Sequence, residues 1–143
     1  MVSEGVLVDA GPLVAILSAR DQFHDDCLRE ARTLRGPFYT SWPVIAEAVY
    51  LLKNRTAAVQ KLLSRIRTLK LRILQLTADD IDGISAVLVR YADHHLDLAD
   101  ATLMYLAERE GIETVFTIDQ RHFSIYRTSQ GNSLILRPAI RSA

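Results

Sequence analysis

The chain has 143 residues, 49% of them hydrophobic and 24% charged, which fits a globular protein and excludes disordered, collagen-like and coiled-coil classes. That length suits one domain spanning residues 1–143, with enough chain to bury a real core. The formal net charge is zero, which argues against nucleic-acid binding through overall positive charge, and the single cysteine, Cys27, excludes an internal disulfide.

Met1 to Gly5 lacks a basic n-region and Asp9 interrupts the apolar run that follows, so neither a signal peptide nor a membrane span is expected. The expected location is the cytoplasm. Gly5 to Val8 reads as a buried strand leading into a turn at Asp9-Ala-Gly-Pro, with Pro12 suited to the first position of a helix. Asp21 to Leu34 reads as a helix, acidic at its start and arginine-bearing toward its end, stopped by Gly36-Pro37. Phe38 to Thr40 is a short strand. Thr40 or Ser41 then caps a helix with Pro43 in its first turn, running through Val44 to about Leu52 and carrying Glu47 one turn inside. A further helix is expected from Thr56 to about Leu69, and a third strand from Leu71 to Leu76. Thr77-Ala-Asp-Asp opens another helix, whose Ile81, Ile84, Leu88 and Tyr91 keep helical spacing. Asp97 to about Arg109 is apolar nearly all round, as a buried helix is, and Gly111 ends it. Thr114 to Ile118 is a fourth strand, 130–133 a turn, and 134–136 a last, edge strand. Strands alternating with helices predict an α/β fold, three layers around a mostly parallel sheet, with any site at the carboxyl ends of the strands.

Charge is segregated along the chain. Lys53 to Arg72 holds seven basic residues and no acid, whereas Ile73 to Glu113 holds nine acids against Arg90 and Arg109. The basic run is either a solvated helix face or a phosphate-binding surface, and Arg65 and Arg67 are its candidates for nucleic-acid contact.

Four acids lie in or at the end of apolar stretches: Asp9, Glu47, Asp100 and Asp119. An ionised carboxylate buried without a partner is so unfavourable that it normally finds a cation, a donor or a metal ion. Ordinary capping accounts for some of them: Asp9 before Pro12, Asp97 and Asp100 with capping-box spacing, and Asp119 before Gln120. Glu47 has no such explanation. Two of the acids follow strands and two lie in first turns of helices, so all four can converge on one cleft. There Mg²⁺ or Mn²⁺ would relieve their repulsion, and such ions act on phosphates. His24, His94, His95 and His122 lack zinc-site spacing and are expected at the surface; Trp42, beside Pro43, is expected to anchor packing rather than stack on a base.

The segments Val8-Asp9-Ala-Gly-Pro-Leu, Ser41-Trp-Pro-Val-Ile-Ala-Glu47, Asp97-Leu-Ala-Asp100-Ala and Thr117-Ile-Asp119-Gln-Arg-His-Phe123 resemble the four acidic motifs of PIN-domain ribonucleases, especially VapC-type toxins. The resemblance spans nearly the whole chain. It implies an α/β/α PIN-like fold and Mg²⁺- or Mn²⁺-dependent endoribonuclease activity on RNA. It also implies metal-binding, catalytic roles for Asp9, Glu47, Asp100 and Asp119, a supporting hydroxyl at Thr117, a small antitoxin partner and a homodimer. Ala10 departs from the Ser or Thr that many relatives carry after the first acid, and Asp97 reads as a helix cap, a water-mediated ligand or an alternative to Asp100, the cap being favoured. Other readings are a PIN nuclease outside any toxin-antitoxin pair and a non-catalytic RNA-binding scaffold. A haloacid dehalogenase-like phosphatase would need a second aspartate where Gly11 stands, and a receiver domain an aspartate where Thr77 follows the third strand.

Overall fold

The computed structural model describes residues 4–53 and 55–139, so residues 1–3, on which the expectation of no leader partly rests, lie outside it. In chain order the elements are β1 (Val6–Val8), α1 (Ala10–Leu17), α2 (His24–Thr33), β2 (Phe38–Thr40), α3 (Trp42–Leu51), α4 (Thr56–Arg67) and β3 (Arg72–Ile73). A 3₁₀ turn at Ala78–Asp80 leads into α5 (Ile81–Arg90), followed by α6 (Leu98–Glu110), β4 (Thr114–Phe116), α7 (Arg121–Ile125) and β5 (Ile135–Arg137).

The sheet runs β3-β2-β1-β4-β5 with all described pairings parallel. Parallel strands covered on both faces need apolar residues at successive positions, and Val6, Leu7 and Val8 are all buried. The first two crossovers step outward from β1 to β2 and β3, and the next two return across β1 to β4 and β5. Right-handed crossovers therefore put α1 to α4 on one face and α5 to α7 on the other, giving three layers. The direction reverses between β1 and β4. A crevice opens beyond the carboxyl ends of strands at such a reversal, which fixes where a site belongs.

Several boundaries differ from the sequence expectation for local reasons. The third strand is Arg72–Ile73 rather than residues 71–76, because its partner β2 ends at Thr40, where Ser41 turns the chain into α3. The second helix starts at His24, because the Asp21 carboxylate accepts the Phe23 N–H and its carbonyl the His24 N–H, closing a turn first. Ser41 caps α3 by accepting from the Val44 N–H, Asp97 caps α6, and Gly111 leaves α6 at φ 69°, a left-handed conformation that glycine adopts without strain. The last strand is an edge strand, one residue later than expected. Among the described residues no helix is long and apolar enough to cross a membrane.

Candidate functional site

Asp9 is the residue after β1 and the N-cap of α1. Its Oδ1 accepts the Ala10 N–H at 2.8 Å and its Oδ2 accepts the Thr117 hydroxyl at 2.8 Å, across the β1/β4 reversal. The cap and the buried acid are thus one residue. Ala10 brings no hydroxyl of its own, and Thr117, the residue after β4, donates a hydroxyl hydrogen bond to Asp9.

Glu47 lies inside α3 and Asp100 in the first turn of α6. The two helices are tied at the Ser41 and Thr102 hydroxyls, 2.8 Å apart and fully buried. Asp97 does act as a cap: its Oδ1 accepts the Asp100 N–H at 2.7 Å. The Asp100 carboxylate does not reach back to complete a capping box but meets His122 Nδ1 at 2.9 Å. Asp119 is set apart. Its side chain is 63% exposed and forked onto Arg121, with Nε to Oδ1 at 2.9 Å and Nη2 to Oδ2 at 2.7 Å.

Asp9, Glu47, Asp97, Asp100 and Asp119 line one cleft of about 550 Å³, together with Asp21, Phe23, Leu51, Arg121 and His122. Among the described residues the lining carries six acids against Arg121 and His122. The electrostatics record the imbalance. Burial, then the Asp100 charge, pushes the Asp9 carboxyl up to about 7, with Glu47 adding to the rise. Burial raises Glu47, reinforced by Asp97 and Asp100, and burial raises Asp100 despite the opposing hydrogen bond from His122. Only Asp119 among them is lowered, by its Arg121 hydrogen bond.

Asp80 provides the contrast. It is equally buried, yet Tyr105 at 2.5 Å, the Thr77 N–H at 2.7 Å and Arg109 at 3.1 Å hold its carboxyl at about 2. Burial alone therefore does not mark a site. Asp9, Glu47 and Asp100 differ in being withdrawn from water beside other acids without enough donors.

The donor set suits a hard divalent cation: carboxylate oxygens, no thiol in the lining, and an uncompensated negative field. Among the described residues no three His, Cys, Asp or Glu side chains are already gathered at metal-binding geometry. Two of the carboxylates are each held by a neighbouring side chain instead, Asp119 by Arg121 and Asp100 by His122.

Three expectations need correction. His122 is not a surface residue: α7 places it half-buried in the cleft, anchored by the buried Phe123 beside it, and its position three residues after Asp119 was the available signal. His24 is also half-buried, with Nδ1 2.6 Å from the Ala15 carbonyl, whereas His94 and His95 are exposed as expected. Trp42 is not a packing anchor; it is 55% exposed in the first turn of α3, because Ser41 and the buried Val44 and Ile45 fix that turn instead. Arg65 and Arg67 lie in the exposed last turn of α4 and do not line the acid cleft.

A three-layer parallel α/β/α domain with a carboxylate cleft at the sheet's reversal defines a class, and comparison with known proteins identifies it. Residues 6–128 match the family described as PIN domain, and the chain belongs to that family. It is 27% identical over 136 residues to ribonuclease VapC26 of Mycobacterium tuberculosis, covering 93% of this chain and 100% of that protein. The crystal structure of Mycobacterium tuberculosis VapC20, a sarcin-ricin loop cleaving toxin, superposes with a TM-score of 0.72 at 26% identity, covering 82% of this chain and 92% of that one. VapBC2 of Rickettsia felis, solved bound to a promoter DNA fragment, shares the fold with a TM-score of 0.63 at 15% identity, covering 93% and 97% of the two chains.

Proposed function

We propose that this chain is a divalent-metal-dependent endoribonuclease, the toxin of a VapBC-type pair, acting as one nuclease domain and neutralised by a small antitoxin. The observation that carries the reading is the set of carboxylates at the β1/β4 reversal, with Asp9, Glu47 and Asp100 all raised by burial and by the charges of neighbouring acids. Family membership supports nuclease activity in general, and the names of the two mycobacterial relatives support RNA as substrate. Asp9, Glu47, Asp100 and Asp119 would hold Mg²⁺ or Mn²⁺. When bound, such an ion activates water and neutralises charge on a phosphodiester.

The rest is the work of this chain's own residues. Thr117 and the Ala10 N–H fix the Asp9 carboxylate, and His122 and the α6 cap fix Asp100, so two acids are oriented before any ion arrives. Arg121 holds Asp119 and is the lining's one arginine among the described residues, placing a cation beside the approaching RNA backbone. Arg65 and Arg67 would contact phosphates away from the cleft, on a strand that continues beyond it. The homodimer and the antitoxin rest on similarity to VapC proteins.

The test is to incubate partner-free protein with a mixed RNA pool and Mg²⁺, Mn²⁺ or EDTA, then map the ends. Internal cuts that require the metal are expected; RNA left intact under all three conditions contradicts the proposal.

A further inference from the structure

The acids account for only part of the cleft. Its lining also carries apolar side chains: Val14 from α1, Phe23 from the start of α2, Leu51 from the last turn of α3, and Ile118. Val14 is buried, but Phe23 is 36% and Leu51 44% exposed. Leu51 follows Glu47 by four residues, so it lies on the same face of α3, one turn further along. Phe23 is held by its backbone, with its N–H donated to Asp21 Oδ1 at 2.8 Å and its carbonyl accepting the Cys27 N–H at 2.9 Å. A partly exposed aromatic side chain on an anchored backbone therefore lines a carboxylate cleft.

A hydrated cation and a phosphate interact through oxygen and charge, and neither gains from apolar side chains. An RNA strand brings one component that does, the face of a base. We infer that Phe23 and Leu51 form a subsite for an unpaired nucleobase next to the phosphate at the acids, with Gln22, another lining residue, to hydrogen-bond the base edge. This rests on the ribonuclease reading above. The cleft, about 550 Å³, has room for a nucleotide beside the carboxylates, within the usual range of small-molecule sites. Stacking on an aromatic ring requires a base with a free face, so the subsite selects single-stranded over paired RNA. It tolerates different bases, because every base has a π face.

The experiment compares wild type, Phe23→Ala and Phe23→Trp by single-turnover cleavage of an unstructured RNA carrying 2-aminopurine, with Mn²⁺ and increasing protein. Base stacking on aromatic residues predicts that Phe23→Ala raises the half-saturating protein concentration by about tenfold, within a range of roughly 5- to 150-fold. Quenching of 2-aminopurine should fall in parallel, whereas Phe23→Trp should stay within about threefold of wild type. The Mn²⁺-induced rise in melting temperature should be the same in all three proteins, because Phe23 offers a cation no oxygen. If wild type cleaves and Phe23→Ala matches it in half-saturation and quenching, the subsite is overturned and these side chains belong to a protein contact. If wild type neither cleaves nor responds to Mn²⁺, the nuclease reading itself fails and the subsite with it.

Discussion

A carboxyl group that titrates near 7 when folded and near 3.8 in its ordinary state makes folding take up a proton, and Asp9 is such a group. Between about pH 4 and 7 the folded chain keeps this proton and the unfolded chain does not, so stability falls as pH rises through that window. Above pH 7 the cost is complete, roughly 4 kcal/mol. We expect metal-free wild type in EDTA to melt lower at pH 8 than at pH 5, and Asp9→Asn to lose most of that difference. The asparagine amide is tolerated because the Thr117 hydroxyl can turn its proton to the Asp119 carbonyl, 3.2 Å away. An equal pH response in both proteins would show that Asp9 is not the strained carboxyl. In RNA cleavage, Asp9→Asn, Glu47→Gln, Asp100→Asn and Asp119→Asn should each lose more than the about 10- to 100-fold typical of supporting residues. His122→Phe should fall within that supporting range, and Asp97→Asn below it, in the same assay of partner-free protein.

At the level of elements, two polar clusters hold helices in place. Ser41 caps α3 and meets Thr102 of α6, so one hydroxyl sets both the start of the Glu47 helix and its distance from the Asp100 helix. Ser41→Ala should cost about 1–2 kcal/mol in urea denaturation, from the lost cap and hydrogen bond. Thr102 keeps a partner in the Ala99 carbonyl at 2.8 Å, which limits the loss. The second cluster joins the 3₁₀ turn before α5 to α6 through Asp80, Tyr105 and Arg109. Its sign is opposite to that of Asp9. The Asp80 carboxyl is held at about 2, below its ordinary 3.8, so its contribution is present above about pH 4 and is lost as pH falls toward 2. Asp80→Asn should be less stable than wild type at pH 7, with the gap closing in acid melts at pH 4, 3 and 2.

For the molecule as a whole, the acids concentrate at one end of a sheet only three residues tall, whereas α4 delivers Arg65 and Arg67 to the other end, just before the chain enters β3. The Arg65 carbonyl accepts both the Lys70 and Leu71 N–H groups, which fixes that turn against the strand. RNA reaching both ends must run along the protein surface. Replacing Arg65 and Arg67 with Gln should weaken RNA binding and reduce its salt slope by up to about one unit per lost contact; an unchanged slope would assign the run to a solvated face. Metal bound at the proposed site would act on the whole fold through linkage. Mn²⁺ at about one hundred times its Kd should add roughly 2.7 kcal/mol, a melting shift of several degrees. Asp119→Asn should gain much less, and equal gains in wild type and all four acid variants would defeat the shared site.

What the sequence determined by itself was local and periodic. Apolar runs such as Val6-Leu7-Val8 marked strands, Ser41, Asp97 and Gly111 marked helix ends, and an acid inside an apolar run marked Asp9, Glu47 and Asp100. These signals depend on neighbours within a turn or a strand, so a linear reading captures them. Pairings across the molecule were decided by tertiary structure. Thr117 meets Asp9 from 108 positions away because the strand order reverses at β1, and His122 meets Asp100 because a five-residue helix follows β4 over the same reversal. The exposure of Trp42, the burial of Asp80 and the placing of Phe23 beside the acids have the same origin. Each depends on which elements the fold brings together, and an amino-acid pattern carries periodicity and charge but not the identity of the partner across the sheet.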